Sequence, residues 1–132
     1  LIYEIQQSSD LTYRLYDWGR VGLDGQPRAM HIDKGTAVSI TEYAPTVLRG
    51  TGDRVLVECA YFRTTTRSFT GNAVELPTGG AFQLLTVIEG QLTVTAADVS
   101  ITVQHGQSAV IPAALPTYTV SGTGKLLTSW QP

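Results

Sequence analysis

The segment FQLLTVIEGQLTVTAADVSITVQHGQSAVIPAALP, residues 82–116, decides how the whole chain is read. Apolar and polar residues alternate through it in short runs, the period of half-buried strands. Each run ends in turn residues: Glu89-Gly90, Ala97-Asp98, His105-Gly106 and Pro112 to Pro116. The strands expected inside and just ahead of this segment are Ala81–Glu89, Gln91–Ala96, Val99–Val103 and Ser108–Ile111. Outward from it lie Val55–Phe62 and Arg63–Thr70 on one side, and Thr117–Val120 and Lys125–Trp130 on the other. Gly71-Asn72, Pro77 to Gly80 and Ser121 to Gly124 separate those runs as further turns. Short strands punctuated by Gly and Pro every ten residues or so indicate an antiparallel β-sandwich or barrel. The class is therefore all-β. One helix is expected at His31–Glu42, HIDKGTAVSITE, where Gly35 weakens the helix and Pro45 stops it.

Composition sets the limits. The chain has 132 residues, 42% of them hydrophobic and 15% charged, which suits a folded domain rather than a disordered segment. Net charge is −2 and there is no basic block, so nucleic acid is not an expected partner. No apolar run approaches the roughly 18–20 residues that span a bilayer. Cys59 has no cysteine to pair with; in the run VLVECAYF it reads as a small buried hydrophobe. An unpaired thiol is compatible with the cytoplasm, which is the expected location.

Chemistry-bearing residues concentrate in LIYEIQQSSDLTYRLYDWGR, residues 1–20. Ile2–Gln7 and Leu11–Trp18 both alternate, and Ser8-Ser9-Asp10 between them has turn composition. Closed as a hairpin, these runs pair Gln7 with Leu11 and place Glu4 opposite Arg14 on one face. A slip of one residue would part them. Such a pair is either a structural cross-strand ion pair or a functional one. Asp10 reads as a turn residue, and Tyr13, Tyr16 and Trp18 as packing or cavity wall. Asp17 is a candidate supporting partner. The first run starts without a lead-in, so the chain is expected to begin partway through a larger protein and to expose a strand edge open to self-association. Elsewhere, Arg63 and Arg67 share a strand face, read as a solvated face or a small anion site. His105 reads as a turn histidine.

Two resemblances add to this reading. Residues 82–116 have the cadence of a cupin jelly roll, a fold whose functional members carry a His-x-His pair and further ligands for a metal. Here Gln83 to Thr86 stand where the His pair would fall, and Tyr118 stands for a later histidine. The segment therefore resembles a degenerate, metal-free cupin. The pattern EIQQSSD-TYR-YDW-R followed by PR-x-HI-x-K resembles the type I mannose-6-phosphate isomerases in their short bacterial form.

That resemblance implies two cupin-like jelly rolls, residues 1–45 being the tail of the catalytic one and residues 46–132 the second. It implies interconversion of mannose 6-phosphate and fructose 6-phosphate, with Arg14 matching a catalytic arginine, Glu4 an acidic residue lining the cavity, and Arg20 a basic residue near the sugar phosphate. It also implies one zinc, on ligands that would all precede Leu1, so none is expected on this chain and the chain alone is expected to be inactive. The isomerisation itself calls for an acid/base group and a fixed cation or metal to stabilise an enediol. Arginine suits the cation's role because it stays charged at any working pH. The alternative is a non-catalytic cupin-like module that binds a sugar phosphate or a partner protein, or is purely structural.

Overall fold

A computed structural model describes all residues except Leu1, Gln7, Pro45 and Thr51. The chain divides into two compact units, Leu1–Val47 and Leu48–Pro132. The second unit is β throughout: β1 (Arg54–Glu58), β2 (Arg63–Pro77), β3 (Gln83–Ala96), β4 (Val99–Gln104), β5 (Ser108–Ile111) and β6 (Thr117–Trp130). All pairings are antiparallel, in the order β1-β2-β6-β3-β4, with β5 alongside the first half of β3. The all-β class and the jelly-roll arrangement follow from this order.

The eight short strands expected from sequence are six, because the expected turns at Glu89-Gly90 and Ser121 to Gly124 lie inside single strands; a third, at Gly71-Asn72, is not a turn either and only lengthens its strand. β2, β3 and β6 run 15, 14 and 14 residues straight through Gly71-Asn72, Glu89-Gly90 and Ser121 to Gly124. A strand of that length would be roughly 46 Å at about 3.3 Å per residue, longer than a small domain, unless it bends. The bend is built at those glycines. β2 bulges between Gly71 and Val74, and β3 between Val87 and Glu89. The bulge in β3 also switches which face is buried: Leu85 and Val87 point inward before it, Leu92 and Val94 after it. Both halves of β3 thus line one core, together with Phe69, Val103, Ile111, Tyr118, Val120 and Leu126. Glycine is required at the crease because the strands touch there. A Cβ on Gly90 would lie 2.2 Å from the Thr123 carbonyl oxygen, and one on Gly124 would lie 2.3 Å from that of Glu89.

Cys59 corrects another expectation: it is exposed. It follows β1 directly and starts the tight connection to β2, its N–H donating to the Phe62 carbonyl at 3.0 Å. His105 does sit in the β4–β5 turn, its N–H bonded to the Gly90 carbonyl at 3.1 Å.

In the first unit the expected N-terminal strand pair is not formed. Described residues 2–20 contain no strand, and the Gln7–Leu11 pairing involves Gln7, outside the described residues. An isolated two-stranded ribbon is marginal in water. The backbone here bonds across the unit instead: the His31 N–H donates to the Arg14 carbonyl at 2.8 Å, and the Arg14 N–H to His31 Nδ1 at 3.2 Å. The described residues between 2 and 20 therefore present no strand edge of the kind on which self-association was expected. The helix α1 spans Ile32–Val38, shorter than expected. Ser39 ends it: its hydroxyl donates to the Gly35 carbonyl at 2.7 Å while its backbone turns extended. The expected stop at Pro45 lies outside the described residues. Gly35 has its own reason to be glycine, since a Cβ there would lie 2.4 Å from the Leu15 side chain. No helix among the described residues is long and apolar enough to cross a membrane.

Candidate functional site

The first unit gathers three arginines on one buried carboxylate. The chain reverses at Trp18 and Gly19, with φ of 48° and 67°, and the Arg20 N–H closes the turn on the Asp17 carbonyl at 2.9 Å. A second loop is pinched by the Val21–Pro27 bridge and by the Gly22 N–H bonded to the Gln26 carbonyl at 2.8 Å. That loop returns Arg28 to Asp17. Arg28 Nε donates to Asp17 Oδ2 at 2.7 Å, and its Nη2 donates to Oδ1. Arg20 Nε lies 3.3 Å and Arg14 Nε 3.6 Å from the same Oδ1. Arg14 is tied further by Nη1 donating to the Ala29 carbonyl at 3.0 Å, and by the backbone exchange with His31 described above.

A two-point Arg–carboxylate fork is the strongest geometry available to this pair. The hydrogen bond from Arg28 is the chief reason the Asp17 carboxyl is held below its ordinary 3.8; the Arg28, Arg20 and Arg14 charges add to it, and burial opposes. Reciprocally, the bond to Asp17 raises Arg28 above its ordinary value. One carboxylate cannot neutralise three guanidiniums, so the cluster carries two positive charges in excess. They are unequally available. Arg28 is bound to the carboxylate, the Arg14 side chain is 23% exposed, and that of Arg20 is 60% exposed, its guanidinium 5.4 Å from the Trp18 ring centre. The arrangement is a held cation, Arg14, beside an accessible one, Arg20. Such a surface suits an oxyanion or a phosphate.

The structure thus brings Arg14 and Arg20 together and leaves Glu4 out. Glu4 is exposed, no ion pair of the described residues includes it, and Arg14 faces Asp17 instead. The pairing with Glu4 required a strand register that does not exist here. Asp17 is the supporting partner its position suggested. Arg28 is the member that sequence reasoning missed; the signal was Pro27-Arg28 closing the turn-rich stretch Gly22-Leu23-Asp24-Gly25-Gln26, a loop able to fold back on Asp17. Arg63 and Arg67 are each paired, with Glu58 at 3.6 Å and Asp53 at 3.3 Å.

A zinc ion does not fit the side chains seen here. Among the described residues no group of three or more His, Cys, Asp or Glu converges. Where a cupin would hold metal ligands, the Tyr118 hydroxyl donates to Gln83 Oε1 at 2.7 Å, and Gln83 Nε2 donates to the Pro77 and Thr78 carbonyls, both at 3.1 Å. Neutral, mutually satisfied amide and phenol groups are poor zinc ligands.

A creased antiparallel sheet closed around one core, with Gln83 and Tyr118 hydrogen-bonded to each other inside it, has the form of a cupin jelly roll. The family model for the mannose-6-phosphate isomerase cupin domain matches residues 53–131, and the chain belongs to that family. Among curated proteins, the mannose-6-phosphate isomerase ManA of Bacillus subtilis is 31% identical over 98% of this chain and 43% of its own length. The putative mannose-6-phosphate isomerase YvyI of the same organism is 29% identical over the same shares. The chain therefore spans well under half of the relatives it matches. The crystal structure of the Bacillus subtilis mannose 6-phosphate isomerase superposes with a TM-score of 0.66 at 24% identity, covering 92% of this chain and 40% of that one. That superposition supports the fold alone.

Proposed function

We propose that this chain serves as part of a mannose-6-phosphate isomerase, with Arg14 and Arg20 as the cationic wall of the sugar-phosphate site. The observation that carries the reading is the surplus positive charge held on Asp17, together with relatives named for that activity along nearly the whole chain. Interconverting an aldose and a ketose moves a proton between neighbouring carbons and develops negative charge on the enediol oxygens. Arg14, fixed through its backbone by His31 and through its side chain by Asp17 and Ala29, is preorganised to meet that charge. Arg20, more exposed, suits the phosphate. Glu4, exposed and unpaired with Arg14, stays a candidate for proton transfer only where substrate brings it close. The zinc of the family would come from residues other than these, so the 132-residue chain by itself is inactive and binds no zinc tightly.

The test is a chimera in which this chain replaces the matching portion of the Bacillus subtilis relative. Expected is isomerase activity that falls roughly 10²–10³-fold with Arg14→Gln, the size of losing one preorganised charge-stabilising donor. A folded chimera indifferent to Arg14→Gln refutes the assignment. Stoichiometric zinc and turnover in the 132-residue chain alone would refute the division of labour.

A further inference from the structure

We propose that His31 is the positioning residue of Arg14: a neutral imidazole with its hydrogen on Nε2, it holds the Arg14 main chain, and through it the guanidinium, in place for the isomerisation. The proposal rests on the role given to Arg14 above and adds a second residue to that site.

The local fold brings the imidazole there. The His31 carbonyl accepts from the Gly35 N–H at 2.8 Å, the first hydrogen bond of α1. Gly35 is buried, and a Cβ on it would lie 2.4 Å from the Leu15 side chain and 3.6 Å from the Tyr13 Cβ. Glycine thus lets the start of the helix lie against the residues on either side of Arg14. At the helix start, the His31 side chain makes no capping bond to α1. It reaches instead to Arg14, 17 residues away in sequence. The Tyr13 ring lies beside it, 6.1 Å between ring centres and tilted by 55°.

That contact fixes which ring nitrogen carries the proton. A backbone N–H can only donate, so His31 Nδ1, 3.2 Å from the Arg14 nitrogen, presents its lone pair. The hydrogen of the neutral ring is then on Nε2. The other tautomer, like the imidazolium, would set N–H against N–H. The His31 N–H donates in turn to the Arg14 carbonyl at 2.8 Å, so both main-chain groups of Arg14 are bonded to one residue. The same segment holds the side chain, Arg14 Nη1 donating to the Ala29 carbonyl at 3.0 Å. Arg28, one residue earlier, holds the Asp17 carboxylate. Residues 28–31 therefore fix Arg14 at three points and its counter-ion through Arg28. Of those three points the imidazole alone is a side-chain group, so a substitution removes it cleanly. A cation meets developing charge well only if it is fixed beforehand, and a displacement of about 1 Å can cost roughly a hundredfold in rate. Arg20 is anchored separately, on Asp17 and beside the Trp18 ring.

Two measurements test this. The first is nitrogen-15 NMR of the imidazoles in the 132-residue chain at about pH 8, where an ordinary histidine is neutral. The chain has two histidines, and His31→Phe assigns the signals. Expected is the Nε2–H tautomer for His31. An Nδ1–H tautomer, or an even mixture of the two, overturns the proposal whatever the kinetics show. The second is the chimera with the Bacillus subtilis relative carrying His31→Phe, which keeps a ring beside Tyr13 and removes the acceptor. Expected is a kcat lower by roughly tenfold with KM within about threefold, because Arg14 is loosened while Arg20 is untouched. An unchanged kcat in a chimera that Arg14→Gln does impair overturns the proposal and leaves the Arg14 assignment standing. A folded chimera indifferent to both substitutions overturns the two together.

Discussion

Replacing Tyr118 by Phe tests the neutral floor of the barrel, because two effects of similar size act at different pH. Tyr118 is 3% exposed and Gln83 6%, so their 2.7 Å hydrogen bond is dry. Gln83 cannot turn to find another donor, since its amide nitrogen is held by the Pro77 and Thr78 carbonyls. Tyr118→Phe therefore leaves Gln83 Oε1 buried without a partner, at a cost of about 2 kcal/mol near pH 8. Burial also pushes the Tyr118 hydroxyl from 10.0 up to about 12, with the Thr128 hydroxyl and the Arg67 charge pulling the other way. A raised value means the folded state keeps its proton after the unfolded state has lost it. The stabilisation is thus complete below pH 10 and is lost as pH rises towards 12. At about 1.4 kcal/mol per pH unit, the loss amounts to roughly 2 kcal/mol across that window. The two curves should therefore converge: Tyr118→Phe is less stable at pH 8, and near pH 12 the two proteins are about equal. Urea unfolding followed by far-ultraviolet circular dichroism, in half-unit steps from pH 8 to 11.5, measures the difference. A stability gap that stays constant through the alkaline range would refute the reasoning.

Other substitutions probe other parts of the structure. Gly90→Ala places a Cβ 2.2 Å from the Thr123 carbonyl at a φ of 70°, and should cost roughly 3 kcal/mol or more in urea unfolding, because neither backbone can yield without flattening the crease. Leu92→Ala empties a fully buried position and should cost about 3–5 kcal/mol by the same measurement. Asp17→Asn should speed hydrogen exchange over residues 14–31, where the arginines lose their common partner. Because the Asp17 carboxyl lies below 3.8 when folded, its contribution is present above that pH and is lost as pH falls through the lowered value; the Asn variant should lack this acid-dependent step in the same exchange profiles.

Much of the fold was legible because period-two alternation and turn residues are local signals. They placed β4, β5 and the hairpin turn at Ala97-Asp98 correctly, and they separated residues 54–130 from the weaker pattern before them. Glycine misled the strand count. Gly90, Gly122 and Gly124 have the composition of turns, yet they let neighbouring long strands cross in near contact, and Gly71 lies at a bulge inside β2. Nothing local distinguishes a glycine that ends a strand from one that lets it bend. Cys59 was misread for a related reason: an apolar run shows burial potential, whereas exposure depends on where the strand ends.

The arginine site shows the same division. Residue types and chain order determined that Arg14, Asp17 and Arg20 lie within a turn or two of one another, and that Arg20 neighbours an aromatic ring. Only the tertiary structure decided that Asp17, not Glu4, faces Arg14, and that Arg28 completes the cluster. Hydrogen-bond partners across a loop depend on how that loop closes, and closure is an outcome of the whole unit's packing. Sequence determined the β class and the arginines available for chemistry; the folded chain determined which carboxylate holds them, because that depends on how the loops close.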